Sequence, residues 1–130
     1  NGKKIRDNQK TEILFIERCI DFLKPETGKM AIVLPDGVLT NAGTQYVRDF
    51  LMERCQILGV VSMPIFAFAH FGAAVKSSLV FVRRKGQKEK LGRYKIFMAI
   101  ADHIGYDARG NTEPRNDLPI VLEQYQNFKS

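Results

Sequence analysis

Two short apolar runs, each preceded by an amphipathic segment, restrict the folds open to this chain more than any other feature. Met30–Leu34 and Ile57–Ser62 are almost continuously apolar and of strand length, which is typical of strands covered on both faces. In the segment before each run, apolar residues recur every three or four positions, as on one face of a helix. The order helix, strand, helix, strand predicts an α/β sheet with helices packed on it, and right-handed crossovers make the two strands parallel.

Each predicted helix has a clear end in the sequence. The first begins near Thr11 and stops at Lys24-Pro25, because proline cannot continue a helix. The second follows the loop at residues 41–44 and runs to about Arg54. Both are long enough to cover a neighbouring strand.

Two further strands are predicted around Ser78–Arg83 and at Tyr94–Ile100. A short basic turn joins them, so we expect them to be antiparallel neighbours. From Asp102 the chain is rich in glycine, proline, Asn and Asp, which indicates a long loop. Asp117 is then placed to cap a final amphipathic helix that has Pro119 in its first turn.

This pattern divides the chain into two parts. Residues 1–101 carry the predicted sheet, and residues 102–130 are a loop and a helix that pack on the sheet or extend it. A length of 130 residues with 45% hydrophobic residues suits one core.

The stretch "HFGAAVKSS" at residues 70–78 has the glycine and the Lys-Ser pair of a phosphate-binding loop. That loop needs a second glycine directly before the lysine and a helix after it. Here Val75 takes the place of the glycine, and an apolar strand follows. The sequence therefore excludes a phosphate-binding loop, and an aromatic segment ahead of a buried strand needs another explanation.

Composition narrows the setting of the protein. No apolar run reaches the length of a membrane span, and the first residues are too polar for a signal peptide. Cys19 and Cys55 lack the spacings of metal ligands. We expect a soluble, cytoplasmic protein with reduced thiols, no metal site and no membrane partner.

The charge balance is compatible with nucleic-acid binding. There are 20 Lys and Arg residues against 14 Asp and Glu, giving a formal net charge of +6 and a pI near 9.5. The densest basic run, residues 83–90, could equally be a solvated turn between two strands. Charge alone does not choose between these interpretations.

Several unlike blocks occur in a fixed order and together resemble a family. They are "LFIERCIDFLKPETGKMAIVLPDGVLTNAGTQYVRDFLMERCQILGVVSMP", "FAFAHFGAAVKSSLVFVRRK", "HIGYDARGN" and "NDLPIVLEQY". From about Thr11 to near the C-terminus, the chain resembles the second half of the catalytic domain of adenine-N6 DNA methyltransferases. The resemblance is specifically to the modification subunit of type I restriction-modification systems.

The resemblance implies a fold and an activity. The fold is a Rossmann-like sheet of seven strands whose last strand is antiparallel, and the strands ending at Leu34, Ser62 and Arg83 correspond to its last three. The activity is methyl transfer from S-adenosylmethionine to adenine N6 at a specific site in double-stranded DNA. The implied protein partners are the specificity and restriction subunits of a type I complex.

The chain also departs from that family. Neither the Gly-rich turn that binds S-adenosylmethionine nor the Asn-Pro-Pro-Phe/Tyr tetrapeptide is present, and residues 1–4 stand where the tetrapeptide would just have ended. We therefore expect a fragment of a longer subunit, without catalytic residues and inactive alone. The alternative is a non-catalytic basic α/β module that binds nucleic acid or a specificity subunit. The two motifs in the preceding part of the gene would decide for the enzyme.

An enzyme that modifies a base in duplex DNA must swing the base out of the stack, and an aromatic ring can replace the lost stacking. In related adenine methyltransferases, an aromatic residue in the loop before the final strand does this. The resemblance places that role on Phe71, with Phe66 and Phe68 as rivals. Packing in the core or in a lid is the alternative for each of the three.

Other candidate residues carry weaker predictions. Pro35, Asp36 and Gly37 follow the carboxyl end of a strand, where α/β sheets bind ligands, although Pro-Asp-Gly is also an ordinary turn. The candidate phosphate contacts, with solvated charge as the alternative, are Lys76, Arg83, Arg84 and Lys85.

Four residues in the polar loops receive no chemical role. His70 and His103 lack a carboxylate and a nucleophile at a suitable spacing, so we expect surface or hydrogen-bonded histidines. Tyr106 and Asp107 belong to a recognisable block, but nothing in the sequence assigns them a function.

Overall fold

The computed structural model describes residues 11–129 and has a mixed α/β fold. The helices are α1 (Thr11–Phe22), α2 (Asp36–Thr40), α3 (Gln45–Arg54) and α4 (Leu118–Lys129). The strands are β1 (Lys29–Pro35), β2 (Cys55–Ser62), β3 (Ser77–Arg84), β4 (Phe97–Ile100), β5 (Ile104–Tyr106) and β6 (Thr112–Asn116). The predicted order of α1, β1, α3, β2 and β3 along the chain is confirmed.

The first four strands form one sheet in the order β1-β3-β2-β4. Strand β3 runs antiparallel to both β1 and β2. Consequently β1 and β2 point in the same direction, as the crossover rule predicts, but β3 lies between them. The expectation of an antiparallel last strand among the three is confirmed.

The predicted pairing of the next strand is wrong. Tyr94–Ile100 was expected beside β3, whereas β4 begins only at Phe97 and pairs parallel with β2, with Gly59 opposite Phe97. Both edges of β3 are already occupied by β1 and β2, so no position beside it remains for a hairpin partner. Residues 85–96 therefore cross to the free edge of β2.

The long loop predicted after Asp102 is also corrected, because it contains an antiparallel pair, β5 and β6. The helix that follows it, α4, is confirmed. Asp117, expected to cap this helix, instead accepts hydrogen bonds from the backbone N–H groups of Asp102 and His103, both at 2.9 Å. These bonds, that of His103 first, lower the pKa of Asp117. Its carboxylate thus ties the start of α4 to the end of the sheet.

The two faces of the sheet bury separate hydrophobic clusters, since side chains alternate along each strand. On one face, Ile16 and Ile20 of α1 and Leu51 of α3 pack against Val80 of β3. On the other face, α4, residues 63–68 and the residues that follow β4 pack against the sheet. The buried members of this second cluster are Val61, Met63, Ala67, Ala101 and Ile104.

Strand β1 was expected to be covered on both faces, and that expectation is wrong for the described residues. Met30 and Ile32 pack on the first cluster, whereas Ala31 and Val33 on the other face are exposed. Among the described residues, helices cover β1 on one face only. Its second apolar face contacts no other helix or strand in this part of the chain.

The sequence also predicts reduced thiols and no membrane-spanning helix. Cys55 is fully buried and Cys19 half-buried, both as free thiols, and burial raises the pKa of Cys55. Within residues 11–129, none of the helices has the length and apolar character needed to cross a bilayer.

Candidate nucleic-acid interface at the carboxyl edge of the sheet

One edge of the sheet collects the carboxyl ends of β1, β2 and β4 and the start of β3. Pro35 lies opposite Ser77, and Ser62 lies opposite both Ser78 and Ile100. Open α/β sheets bind ligands beyond the carboxyl ends of their parallel strands. The loop of residues 63–76, which we call the aromatic loop, leaves the sheet at this edge and returns to it.

A polar network joins the base of the aromatic loop to β1 and β2. Lys76 Nζ donates to Ser62 Oγ at 2.6 Å and lies 3.3 Å from Asp36 Oδ2. Ser78 Oγ donates to Asp36 Oδ1 at 2.8 Å, and the backbone N–H of Asp36 donates to the Lys76 carbonyl at 2.9 Å. Two of the predicted site residues, Asp36 and Lys76, are therefore brought together as partners of each other.

Pro35 and Gly37 shape this corner without offering side-chain chemistry. Pro35 ends β1, and Asp36 and Gly37 open the short helix α2 rather than a simple turn. The Gly37 carbonyl accepts from Thr44 Oγ1 at 2.9 Å. Both carboxylate oxygens of Asp36 have a partner within the chain, Ser78 for Oδ1 and Lys76 for Oδ2, so this carboxylate helps to hold the corner together.

The three candidate phenylalanines of the aromatic loop differ in their surroundings. Phe66 and Phe68 are half-buried and pack against the second hydrophobic cluster. Phe71 ends a short 3-10 helix, and 75% of its surface is exposed. Gly72 follows it with a φ of 87°, in the left-handed region that favours glycine, and turns the chain back toward β3. Among these three rings, Phe71 is the one free to meet a ligand.

Phe71 does not stand alone on the loop. The ring of His70 lies against it, with centroids 3.8 Å apart and planes inclined by 43°. The ring of Tyr106 meets His70 edge to face at 5.2 Å. The Tyr106 hydroxyl donates to the carbonyl of Ala67 at 2.7 Å. Tyr106, whose role could not be predicted from the sequence, thus contacts the aromatic loop that carries Phe71.

The remaining predicted phosphate contacts lie at the opposite ends of the strands, where β1 and β2 begin and β3 ends. Arg83 is paired with Lys29 at the start of β1, and Arg84 with Cys55 at the start of β2. Strand β3 has eight residues, so about 20–25 Å separates its two ends at about 3.3 Å per residue. The structure does not bring Arg83, Arg84 or Lys85 near Phe71.

Each of these basic residues has partners within the chain. Arg83 binds Glu89 with two guanidinium nitrogens, which lowers the pKa of Glu89 to about 2. Arg84 Nη1 donates to the carbonyls at the end of α1, the shortest contact being 2.6 Å to Leu23. Lys85 Nζ donates to the Met52 carbonyl near the end of α3 at 2.7 Å. Cations at helix C-termini satisfy unpaired carbonyls and the helix dipole.

The other polar residues add no metal site. Within residues 11–129, no three His, Cys, Asp or Glu side chains are grouped so as to hold an ion. His103 Nδ1 lies 4.0 Å from Glu113 Oε1. Residues 1–4, predicted to stand where the tetrapeptide would just have ended, lie outside the described residues.

Sequence reasoning missed the serines of the polar network and the contact of Tyr106 with the aromatic loop. Ser62 and Ser78 appear in the sequence as ends of apolar runs, with no periodicity to single them out. The one available signal for Tyr106 was its place in the block "HIGYDARGN".

Solved structures similar to this chain define the class of fold. One is described as a class I S-adenosylmethionine-dependent methyltransferase from Listeria monocytogenes. It has a TM-score of 0.69 and 19% identity, over 99% of this chain and 36% of that chain. A chain from a study of assembly and conformational transition of the type I R-M system has a TM-score of 0.72 and 23% identity, over 99% of this chain and 27% of that chain. A modification subunit of a type I restriction enzyme from Vibrio vulnificus has a TM-score of 0.67 and 20% identity, over 97% of this chain and 27% of that chain. The fold is thus the Rossmann-like sheet of these methyltransferases.

The family follows from the sequence itself. The family described as N-6 DNA Methylase matches residues 1–128, and this chain belongs to it. Its resemblance to that family is thereby confirmed. Curated protein sequences give no match to the chain. The chain spans between 27% and 36% of the length of the three solved structures.

Proposed function

We propose that the protein to which this chain belongs transfers a methyl group from S-adenosylmethionine to N6 of adenine in a specific DNA sequence. The aromatic loop then forms part of the pocket for the target base. Membership of the N-6 DNA methylase family supports the reaction. The position of the loop at the carboxyl edge of the sheet supports its part in binding.

The exposed ring of Phe71 is the observation that carries the proposal. Phe66 and Phe68 pack against the second cluster, whereas 75% of Phe71 faces solvent. Exposure of a large aromatic ring loses the free energy that its burial would provide, so a ligand that covers it gains that energy. An adenine swung out of the duplex has lost its own stacking and can regain it on this ring.

The described residues supply only part of such an enzyme. The carboxylate of Asp36 binds Ser78 and Lys76 within the chain, and we assign the cofactor no ligand at this corner. In this proposal the rest of the subunit binds S-adenosylmethionine, which supplies the methyl group, and holds the adenine amino group. Residues of this chain bind and orient the extruded base.

DNA and the other subunits of a type I system are the proposed partners, in the cytoplasm. Two of the similar structures are type I components, and the formal net charge of +6 suits a polyanion. Lys76 is the basic residue we place beside the DNA backbone, because it shares an edge with Phe71 and is partly exposed. Arg83, Arg84 and Lys85 are left out, since they lie at the other end of β3, away from Phe71.

Substitution of Phe71 in the full-length subunit, assembled with its specificity subunit, tests this function. Phe71→Ala should slow methylation of a DNA duplex by about one to two orders of magnitude, the equivalent of about 1–3 kcal/mol of lost stacking. Phe71→Tyr and Phe71→Trp should retain most activity because each keeps an aromatic face. Phe71→Leu should resemble Phe71→Ala. Melting temperatures should stay within about 2 °C across the series, because the ring is exposed.

Phe22 offers a matched control. It is as exposed as Phe71, at 79%, but ends α1 near the opposite edge of the sheet. Phe22→Ala should leave the methylation rate unchanged. If activity instead follows melting temperature through the Phe71 series, the ring packs inside the intact enzyme and the stacking role is wrong.

A further inference from the structure

We propose that Tyr106 and His70 are positioning residues that hold Phe71 in its stacking orientation through the turn of the β5–β6 hairpin. This inference rests on the proposed function of Phe71 and assigns a role to the turn of a second element, residues 106–111. It also gives the block "IGYDARGN" a purpose that its sequence alone does not.

An exposed aromatic ring on an irregular loop needs support to be useful for binding. The aromatic loop lacks strand pairing over most of its length and is held by successive tight turns, such as Phe71 N–H to the Phe68 carbonyl at 3.0 Å. A ring that is free to change rotamer loses side-chain entropy when a base stacks on it. Any contact that fixes the ring beforehand removes this cost.

Three rings in contact provide that support. Phe71 lies against His70 at 3.8 Å, and His70 meets the edge of Tyr106 at 5.2 Å. The Tyr106 hydroxyl donates to the carbonyl of Ala67, at 2.7 Å. Ala67 is buried in the second cluster. Tyr106 is therefore fixed to the buried part of the aromatic loop while its ring supports the exposed part.

The turn of the hairpin supports His70 from another side. Gly110 has a φ of 84°, and a Cβ atom at this position would lie 3.1 Å from His70 Cδ2. The backbone thus approaches the imidazole ring as closely as a residue without a side chain allows. A residue with a side chain at this position would force the His70 ring to shift by a few tenths of an ångström.

Asp107 fixes the turn that presents Gly110. Its carboxylate accepts from the backbone N–H groups of Arg109 and Asn111, each at 2.9 Å, and from Asn111 Nδ2 at 3.3 Å. These bonds, that of the Asn111 backbone first, lower the pKa of Asp107. Tyr106 and Asp107 thus act on one structure: Asp107 shapes the turn, and the turn and Tyr106 hold His70 against Phe71.

A double-substitution experiment separates positioning from general stability. In the full-length subunit with its specificity subunit, Tyr106→Leu should slow methylation about tenfold, because small displacements of a binding group have large effects on rate. In a Phe71→Ala background, the same substitution should change the rate less than about twofold, since there is no ring left to position. Tyr106→Phe, which keeps the ring and loses the bond to Ala67, should fall between wild type and Tyr106→Leu.

Two glycines of the hairpin give a second test that leaves Tyr106 in place. Gly110→Ala and Gly105→Ala impose similar backbone strain, at φ values of 84° and 86°. The added Cβ at Gly110 meets His70, whereas that at Gly105 meets the side chain of Asn116. We expect equal losses of melting temperature but a fall in methylation rate, about fivefold or more, for Gly110→Ala alone.

The outcomes separate this inference from the function on which it rests. If Phe71→Ala leaves the rate of the wild-type enzyme unchanged, the stacking role is wrong and the positioning role falls with it. If Phe71→Ala slows methylation but Tyr106→Leu slows it equally in both backgrounds, the hairpin acts only on stability and the positioning role alone is overturned. Equal rates for Gly110→Ala and Gly105→Ala would also overturn it.

Discussion

Lys76 Nζ lies 3.3 Å from Asp36 Oδ2, and this ion pair joins the end of the aromatic loop to the end of β1. The residues are 40 positions apart in the sequence and meet because Pro35 pairs with Ser77. The bond from the Asp36 N–H to the Lys76 carbonyl continues the same connection. Side chain and backbone thus act together where the loop re-enters the sheet.

A double-mutant cycle on this pair should show coupling. Lys76→Met and Asp36→Asn should each lower the free energy of unfolding of the subunit, and the double variant should lose less than the sum of the two. The coupling should be about 0.5–1 kcal/mol, because both side chains are partly exposed and solvent screens the pair. Denaturant titrations measure it, and strictly additive losses would show that the pair contributes nothing.

The bidentate pair of Arg83 and Glu89 predicts a dependence of stability on pH. The hydrogen bond from Arg83 is the main cause that lowers the pKa of Glu89 from about 4.5 to about 2 in the folded protein. A carboxyl group with a lowered folded-state pKa stabilises the fold above its unfolded pKa, and this contribution is lost as the pH falls toward the folded value. Glu89→Gln should therefore lower the melting temperature at pH 7 by more than at pH 3.

Melting curves of wild type and Glu89→Gln from pH 7 to pH 3 test this. The gap between them should stay constant down to about pH 5 and then narrow, since the unfolded carboxyl titrates near 4.5. A gap that is independent of pH would mean that the carboxylate has the same pKa in the folded and unfolded chains.

Arg84 should be needed for stability and not for DNA binding. Its guanidinium donates to the carbonyls of Ile20, Asp21 and Leu23, so Arg84→Gln leaves the end of α1 without these donors, at a cost of about 1–3 kcal/mol. The dependence of DNA affinity on salt should not change. Loss of a phosphate contact would instead reduce the slope of log K against log salt by about 1.

Lys88 provides the control for charge. It belongs to the same basic run and is exposed, so Lys88→Gln removes the same charge without removing a donor from the end of α1. Its melting temperature should equal that of wild type. A smaller salt slope for Arg84→Gln than for wild type would contradict the helix-end role and return Arg84 to the DNA interface.

Local pattern determined which elements could be predicted. The periodicity of α1 and the apolar runs of β1 and β2 depend on residues close in the sequence, and all three elements form where expected. The partner of β4 could not be predicted, because it depends on β1 and β2 having filled both edges of β3. That is a property of the assembled sheet.

The candidate site, too, could be predicted only where a local sequence pattern marks its residues. The motif resemblance reached Phe71, but three phenylalanines in an irregular loop have no periodicity that distinguishes an exposed ring from a packed one. Only the packing of Phe66 and Phe68 on the second cluster separates them. The bond between Tyr106 and Ala67 spans 39 residues and has no local signal at all.

Photochemical crosslinking tests the contact between Phe71 and the target base most directly. A DNA duplex with 5-iodouracil in place of the target adenine is bound by the full-length subunit with its specificity subunit and irradiated, and the crosslinked peptide is sequenced by mass spectrometry. Because the halogenated base couples to the aromatic ring that it stacks on, the crosslink should fall on Phe71 and disappear in Phe71→Ala. A crosslink on Phe66, on Phe68 or outside the aromatic loop, retained in Phe71→Ala, would contradict the proposed role.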